Sequence, residues 1–285
     1  MDTESYQFKL GDFDCVSISD GSHDYPLENF FTNVPKEQIQ ELLRQRNLPT
    51  DHITTPYTYL FVDTGEHRLL VDMGAGNLFP TTGRLVQNMK AAGIEPVEID
   101  TVIITHAHPD HIGGTLDEEG SLVFASAHYY IWKDEWDFWF SEAPLGKVPE
   151  NQEFQFVRLA RTNLEPIKGQ VSLLEDESEI LPGISVIAAP GHTPGHMVVW
   201  ISSADEQLLY IGDTVIYPLH LEHPDWIPIY DALPEKAAAS KRRIFDRAAA
   251  ERAWVIGQHF PPFPSLGHVM KKGEGWQWQP IETRG

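Results

Sequence analysis

The stretch Thr101-Val102-Ile103-Ile104-Thr105-His106-Ala107-His108-Pro109-Asp110-His111-Ile112-Gly113-Gly114 opens as a buried strand and closes as a cluster of metal-binding side chains. Thr101 to Thr105 are all β-branched or apolar, a run of strand length that ends directly at His106. Imidazole and carboxylate are the groups that bind zinc and similar borderline ions, and four of them fall within the six residues from His106 to His111. On an extended segment His106 and His108, at i and i+2, point the same way and can clasp one ion. Asp110 and His111, with the turn that Gly113-Gly114 allows, can face another. Four ligands do not complete two coordination shells, so the remainder must come from elsewhere in the chain.

Three other strand-like runs end in suitable groups. Ile184–Ala188 leads to Gly191-His192, Gln207–Ile211 to Gly212-Asp213, and Trp254–Ile256 to His259. Ahead of the cluster, Tyr6–Leu10 and Asp14–Ser19 read as strands around Gly11-Asp12, followed by a loop at Asp20-Gly21 and a helix over Pro35–Arg46. Thr58–Asp63 and His67–Val71 form a hairpin pattern, and Arg84–Ala92 reads as a helix that stops at Gly93. Ser126–Phe140 has helical spacing with Trp132, Trp136, Trp139 and Phe140 on one face, and a second helix follows near Glu153–Asn163. Val198–Ser202 pairs with the strand before Asp213, and Pro234–Arg252 is a long helix with Pro in its first turn. No Ser/Gly/Pro-rich linker divides the 285 residues, which predicts a single α/β domain of sheets packed together with helices outside.

Composition narrows the functional classes. At 41% hydrophobic and 11% aromatic residues the chain can build a sizeable core. Its 42 acidic against 21 basic residues give a formal charge of −21, which repels phosphate polymers and excludes nucleic acid as a partner. The single Cys15 rules out an internal disulfide and a thiol-rich metal site. Met1-Asp2-Thr3-Glu4-Ser5 lacks the basic start and apolar run of a signal peptide, and no stretch approaches a membrane span; the expectation is a cytoplasmic protein that does not engage membranes.

His106-x-His108-x-Asp110-His111, followed in order by His192, Asp213 and His259, resembles the metallo-β-lactamase superfamily, and all seven positions of that pattern are matched. The resemblance implies a four-layer αββα sandwich with the site at one edge between the sheets. It also implies that His106, His108 and His192 hold a first metal, that Asp110, His111 and His259 hold a second, and that Asp213 bridges. Two divalent ions are the implied cofactors, zinc foremost, although the mixed N/O set also suits manganese, iron or cobalt. Asp72, in Leu70-Val71-Asp72-Met73-Gly74, sits where family members carry an acidic residue behind the site, and His196 would order the loop around His192. Two such ions about 3.5–4 Å apart generate a hydroxide nucleophile, which Asp110 orients or relieves of its proton, so no Ser or Cys nucleophile is needed.

Pro218–Trp226, Arg242-Arg243, His259–Pro264 and Gly267-His268-Val269 look like the branch that contains methyl parathion hydrolase and related lactonases and esterases. The expected substrate is a small apolar lactone or carboxylic ester, with phosphotriesters as a side activity. Phe30, Phe31, Trp132, Tyr217, His220, Trp226 and Phe263 are the candidate pocket residues, and residues 20–56 are expected to cover the pocket or to support a homodimer. One departure from the N-acyl homoserine lactonase branch is plain: its tyrosine three residues after the bridging Asp is here Ile216, with Tyr217 next. A thioester hydrolase of the glyoxalase II type is the second reading. Those relatives share Gly191–His196 and Gly212-Asp213-Thr214 but carry a basic patch late in the chain, where this one offers Lys271, Lys272 and Arg284. A mononuclear-iron persulfide dioxygenase also fits the motif, whereas diiron oxygen reductases carry Glu at the position of His108. A non-catalytic binding module would leave the intact set of ligands without a purpose.

Overall fold

Each half of the chain builds its own sheet. The structure, a computed structural model, describes residues 4–142 and 150–283, and side chains for all of these but 150–154; Arg284 lies outside the described residues. In the first sheet β1 (Ser5–Leu10), β2 (Phe13–Pro26), β3 (His52–Asp63), β4 (Arg68–Val71), β5 (Thr101–Ile104), β6 (His128–Trp132) and β7 (Val171–Leu174) lie side by side in chain order. The first four pair antiparallel and β4 to β7 pair parallel. The second sheet runs from β8 (Ser178–Leu181) through β9 (Ile184–Ala188), β10 (Met197–Ser203), β11 (Glu206–Tyr210), β12 (Trp254–Ile256) and β13 (Leu266–Lys272) to β14 (Gly275–Pro280). Only β11 and β12 are parallel in it.

Alternation along the strands creates the layers. In β3, Leu60 and Val62 point at the other sheet and join Val71, Ile103, Val199, Leu208 and Tyr210 in the central core. Tyr57, Tyr59 and Phe61 point the other way, into a core with residues of three helices, α3 (Leu85–Ala91), α5 (Lys133–Phe140) and α6 (Glu150–Leu164). The two short helices α1 (Leu27–Phe30) and α4 (Pro109–Ile112) and the longer α2 (Lys36–Gln45) occupy connections in this half. The outer face of the second sheet packs Val198, Trp200 and Val255 against Ile244, Phe245 and Ala248 of α8 (Pro234–Glu251), which follows the short α7 (Leu219–Glu222). The result is the four-layer αββα sandwich. No described helix is long and apolar enough to cross a membrane.

Two local expectations are corrected. Asp20-Gly21 is not a loop: β2 runs on to Pro26 through a bulge between Ser19 and Gly21. The Asp20 carboxylate is buried there because it accepts the backbone N–H groups of Ala75 and Leu85. The stretch from Ser126 to Phe140 is also not one helix. His128 to Ile131 pair in parallel with β5 and Tyr129 to Trp132 with β7, and the helix begins only at Lys133. Aromatic and β-branched side chains favour a half-buried pleated surface, and pairing with β5 outweighs the helical spacing. Trp132 therefore faces the space between the sheets, packed in the central core, and is not a pocket residue.

Trp132→Ala should thus behave as a core truncation, losing about 3–5 kcal/mol of stability in chemical denaturation while the folded fraction keeps its KM. A KM change without loss of stability would return Trp132 to the pocket.

Candidate metal centre

Five strand ends converge on one point. β4 ends at Asp72, β5 runs into His106 and His108, and Pro109 starts α4 so that Asp110 and His111 fall in its single turn. β9, β11 and β12 deliver His192, Asp213 and His259 from the opposite sheet. The approach of the His192 loop to α8 needs glycine: Gly191 has φ +150°, and a Cβ there would lie 2.2 Å from the Cα of Ala237.

Among the described residues the seven candidates form two groups, His106, His108, His192 and Asp213, and Asp110, His111, Asp213 and His259; within each, ligand atoms lie within 4.8 Å of one another. In the first, His108 Nδ1 is 3.0 Å from His106 Nε2 and 2.9 Å from His192 Nε2, which is 3.2 Å from Asp213 Oδ2. In the second, His259 Nε2 lies 3.2 Å from Asp110 Oδ2 and 3.3 Å from Asp213 Oδ1, and His111 Nε2 is 3.5 Å from the same Oδ1. Asp213 thus turns one oxygen to each group.

The electrostatics suit divalent cations. Burial and neighbouring imidazoles push His106 well below the ordinary histidine range and His108 down to about 3, so both stay neutral with lone pairs available. Burial also opposes charge on His192 and His259, but hydrogen bonds and attraction from Asp213, with Asp231 for the former and Asp110 for the latter, outweigh it and raise each to about 9. His111 Nε2 and Asp213 Oδ1 are buried without a hydrogen-bond partner. Buried polar atoms left bare and aimed at a common point fit a metal ion better than they fit each other.

The far side of each ring is fixed. His111 Nδ1 donates to Asp72 Oδ2 at 2.8 Å, His192 Nδ1 to Asp231 Oδ1 at 3.1 Å, and His259 Nδ1 to the Pro56 carbonyl at 3.1 Å, which leaves Nε2 of each for an ion. Asp72, in the left-handed region at φ 62°, also accepts the N–H and hydroxyl of Thr105. Asp231 is balanced by buried Lys241 at 3.3 Å. The His196 ring accepts the Asp213 backbone N–H at 2.9 Å, so it holds the shared carboxylate and not only the loop around His192. Glu135 on α5 was not legible in the sequence. It accepts Ala107 N–H (2.9 Å) and Trp139 Nε1–H (2.7 Å) on one oxygen, and Thr193 hydroxyl (2.6 Å) and Gly195 N–H (3.1 Å) on the other. One carboxylate fastens the His106–His108 loop to the His192 loop.

A cavity of about 390 Å³ opens from these ligands and is lined by His108, Asp110, His192, Asp213 and His259 together with His23, Tyr25, Phe30, Phe79, Phe156, Ile216 and Tyr230 among others. Of the seven expected pocket residues only Phe30 lines it. Phe31, His220 and Trp226 lie one layer behind, where Phe31 stacks on His220 and meets Trp226 edge-on. The His220 Nε2 donates to the Phe30 carbonyl and so props that residue from beneath. Tyr217 packs in the same cluster, and Phe263 lines a neighbouring cavity with His52 and Tyr217. These residues fill space under residues 20–56 because that segment needs an apolar floor of its own. Tyr25, Tyr230 and Phe79 went unseen since nothing local in sequence links them to the ligands.

The chain belongs to the metallo-beta-lactamase superfamily, whose family model matches residues 54–259. Over the whole of both chains it is similar, at 29% identity and a TM-score of 0.93, to a structure of AidC, a dizinc quorum-quenching lactonase, in complex with a product N-hexnoyl-L-homoserine. At 27% identity, TM-score 0.91 and full coverage of both chains it is similar to the hydrolase AbOPH in the beta lactamase superfamily. An N-acyl homoserine lactonase of Bacillus thuringiensis is 23% identical over 176 residues, 62% of this chain and 62% of that protein, so the match spans under two thirds of this curated relative.

Asp213→Ala should cost both metal sites at once, dropping the metal content of the purified protein from two ions to fewer than one in elemental analysis; two retained ions would contradict the shared role. Because His192 and His259 hold protons up to about pH 9 in the metal-free protein, loading with a divalent ion at pH 7 should release protons. Apparent affinity should weaken as pH is lowered below about 9, as read by calorimetry in buffers of differing ionisation enthalpy.

Proposed function

We propose that the protein is a hydrolase with two divalent metal ions, zinc by preference, that opens small apolar lactones and cleaves carboxylic esters, with phosphotriesters as a side activity. The observation that carries this reading is the pair of ligand groups sharing Asp213 at the floor of a cavity whose described lining contains no Lys or Arg. Neutral, largely apolar substrates fit such a space, since away from the ligand groups its described walls offer no Lys or Arg to a carboxylate. The two relatives described as lactonases support the same class.

His106, His108 and His192 would hold one ion, Asp110, His111 and His259 the other, and Asp213 both. When bound, the ions polarise an ester carbonyl and lower the pKa of a water so that hydroxide exists near neutral pH. Asp110 faces the cavity, and its main chain is held by the Tyr59 hydroxyl, which donates to the Asp110 carbonyl. Its carboxylate is placed to orient the attacking water and take its proton. The water oxygen joins the acyl carbon, the ring C–O bond breaks, and the proton passes to the departing alkoxide, giving a hydroxy acid. His23, Tyr25, Asn29, Phe30 and Thr55 bring residues 20–56 over the cavity, so this segment acts as its cover and excludes bulk water.

The test is a rate panel on metal-loaded protein with aliphatic and acylamino lactones, aryl esters, a phosphotriester, lactoyl-glutathione and a cephalosporin. The lactones should show the highest kcat/KM and activity should vanish on chelation. A clear preference for the thioester or the cephalosporin would overturn the assignment.

A further inference from the structure

The two ligand groups are backed differently. Behind the second, Asp72 accepts His111 Nδ1–H and the backbone N–H and hydroxyl of Thr105, and the Pro56 carbonyl accepts from His259. Among the described residues neither acceptor is met by a Lys or Arg. Behind the first group a cation is present. Asp231 divides its oxygens, Oδ1 lying 3.1 Å from His192 Nδ1 and Oδ2 3.3 Å from Lys241 Nζ. Lys241 is 3% exposed, and among the described residues Asp231 is its ion-pair partner. The same stretch grips the His192 loop through its backbone as well. Ala232 N–H donates to the His192 carbonyl at 3.0 Å, Leu233 N–H to the Gly191 carbonyl at 2.8 Å, and the Ser240 hydroxyl to the Pro190 carbonyl at 2.7 Å. The main chain at His192 is therefore held without Lys241, and what the ammonium governs is the ring.

A carboxylate behind a ligand imidazole is a common device. A buried ammonium behind that carboxylate is an addition that needs a reason, because a lysine is rarely buried and the desolvation of its charge is costly. The pull of Nζ on Oδ2 fixes the plane of the Asp231 carboxylate, and so the direction from which Oδ1 meets His192 Nδ1. Through the ring this sets where Nε2 points, and Nε2 lies within the first ligand group, 2.9 Å from His108 Nδ1 and 3.2 Å from Asp213 Oδ2. Without the ammonium, Oδ2 would be left buried and bare, and the carboxylate would turn to find another partner. We propose that Lys241 is a positioning residue for the first ligand group: by compensating Asp231 it holds the His192 ring and sets the affinity for the ion bound by His106, His108 and His192, with no effect on the second group. This rests on the two-metal reading above and adds to it a residue of α8 that acts on one ion alone.

The test is calorimetric titration of zinc into the chelator-treated full chain, as wild type, Lys241→Met, Asp231→Asn and the double variant. Wild type should take up two ions, and Lys241→Met should weaken one of them about 10- to 100-fold and leave the other unchanged. The backgrounds His192→Ala and His111→Ala, which spoil the first and second group in turn, identify the ion. Lys241→Met should change nothing in the first background and weaken the remaining ion in the second. Asp231→Asn leaves the ammonium unpaired and should also weaken the first ion. The double variant, in which no buried charge is left bare, should bind that ion more tightly than either single variant. Such recovery marks charge compensation, since a packing role would give additive losses. If Lys241→Met alone does not fold, the comparison of Asp231→Asn with the double variant decides by the same criterion. Additive losses, equal weakening of both ions or no weakening overturn the role of Lys241 and leave the two-metal reading standing. Failure of wild type to bind two ions overturns both.

Discussion

Three imidazole nitrogens, on His106, His108 and His192, meet within about 3.0 Å of their neighbours, and two of those rings are held neutral by burial. The facing lone pairs of neutral His106 and His108 repel, and only a scaffold that leaves them no alternative can keep them so. The scaffold is a ring of carboxylates set behind the ligands. Asp72, Glu135 and Asp231 each reach across between segments far apart in sequence, and each is buried. Burying a carboxylate is costly unless its oxygens are fully engaged, and here every one of them has donors. The stiffness of the two sheets does the rest, because five of the seven candidate ligands follow a strand end within four residues and the other two sit on α4 directly after β5.

How much of this was legible depended on distance along the chain. The His106–His111 cluster, the three later ligands and Asp72 could be read because each lies at the end of an apolar run, and strand ends are where a buried sheet presents side chains to a cleft. The sandwich followed from the same runs. The residues of the cavity wall could not be read in this way. Phe31, Trp226 and His220 have the composition of a binding surface, yet the segment that carries the pocket wall needs a core beneath it, and these residues supply that core. Tyr25 lies in the part of β2 beyond the bulge at Ser19, and Tyr230 follows Ile229 in an irregular stretch, so neither has a periodicity to mark it. Trp132 shows the converse error, where helical spacing was present and pairing with β7 decided otherwise.

The two parts of the site are built on different principles. The ligand floor belongs to the sheets and has its geometry fixed by buried charge. The walls come from residues 20–56 and from the stretch between Ile216 and Tyr230, held to each other by Phe30, Asn29 and their partners. Substitutions in the walls can change which molecule fits without moving the ligand groups, which are held by other segments.

The placement of β12 carries a last consequence. It is only Trp254 to Ile256, but it lies between β11 and β13 in the interior of the second sheet, and His259 follows it directly. A shift, insertion or deletion in that strand would unzip the neighbours on both sides before it altered metal binding alone. Evolutionary drift toward a protein holding a single ion is therefore channelled: it can replace the His259 side chain, but it cannot arrive by trimming or re-registering the backbone that presents it. His259 is as firmly placed as the interior strand that it follows.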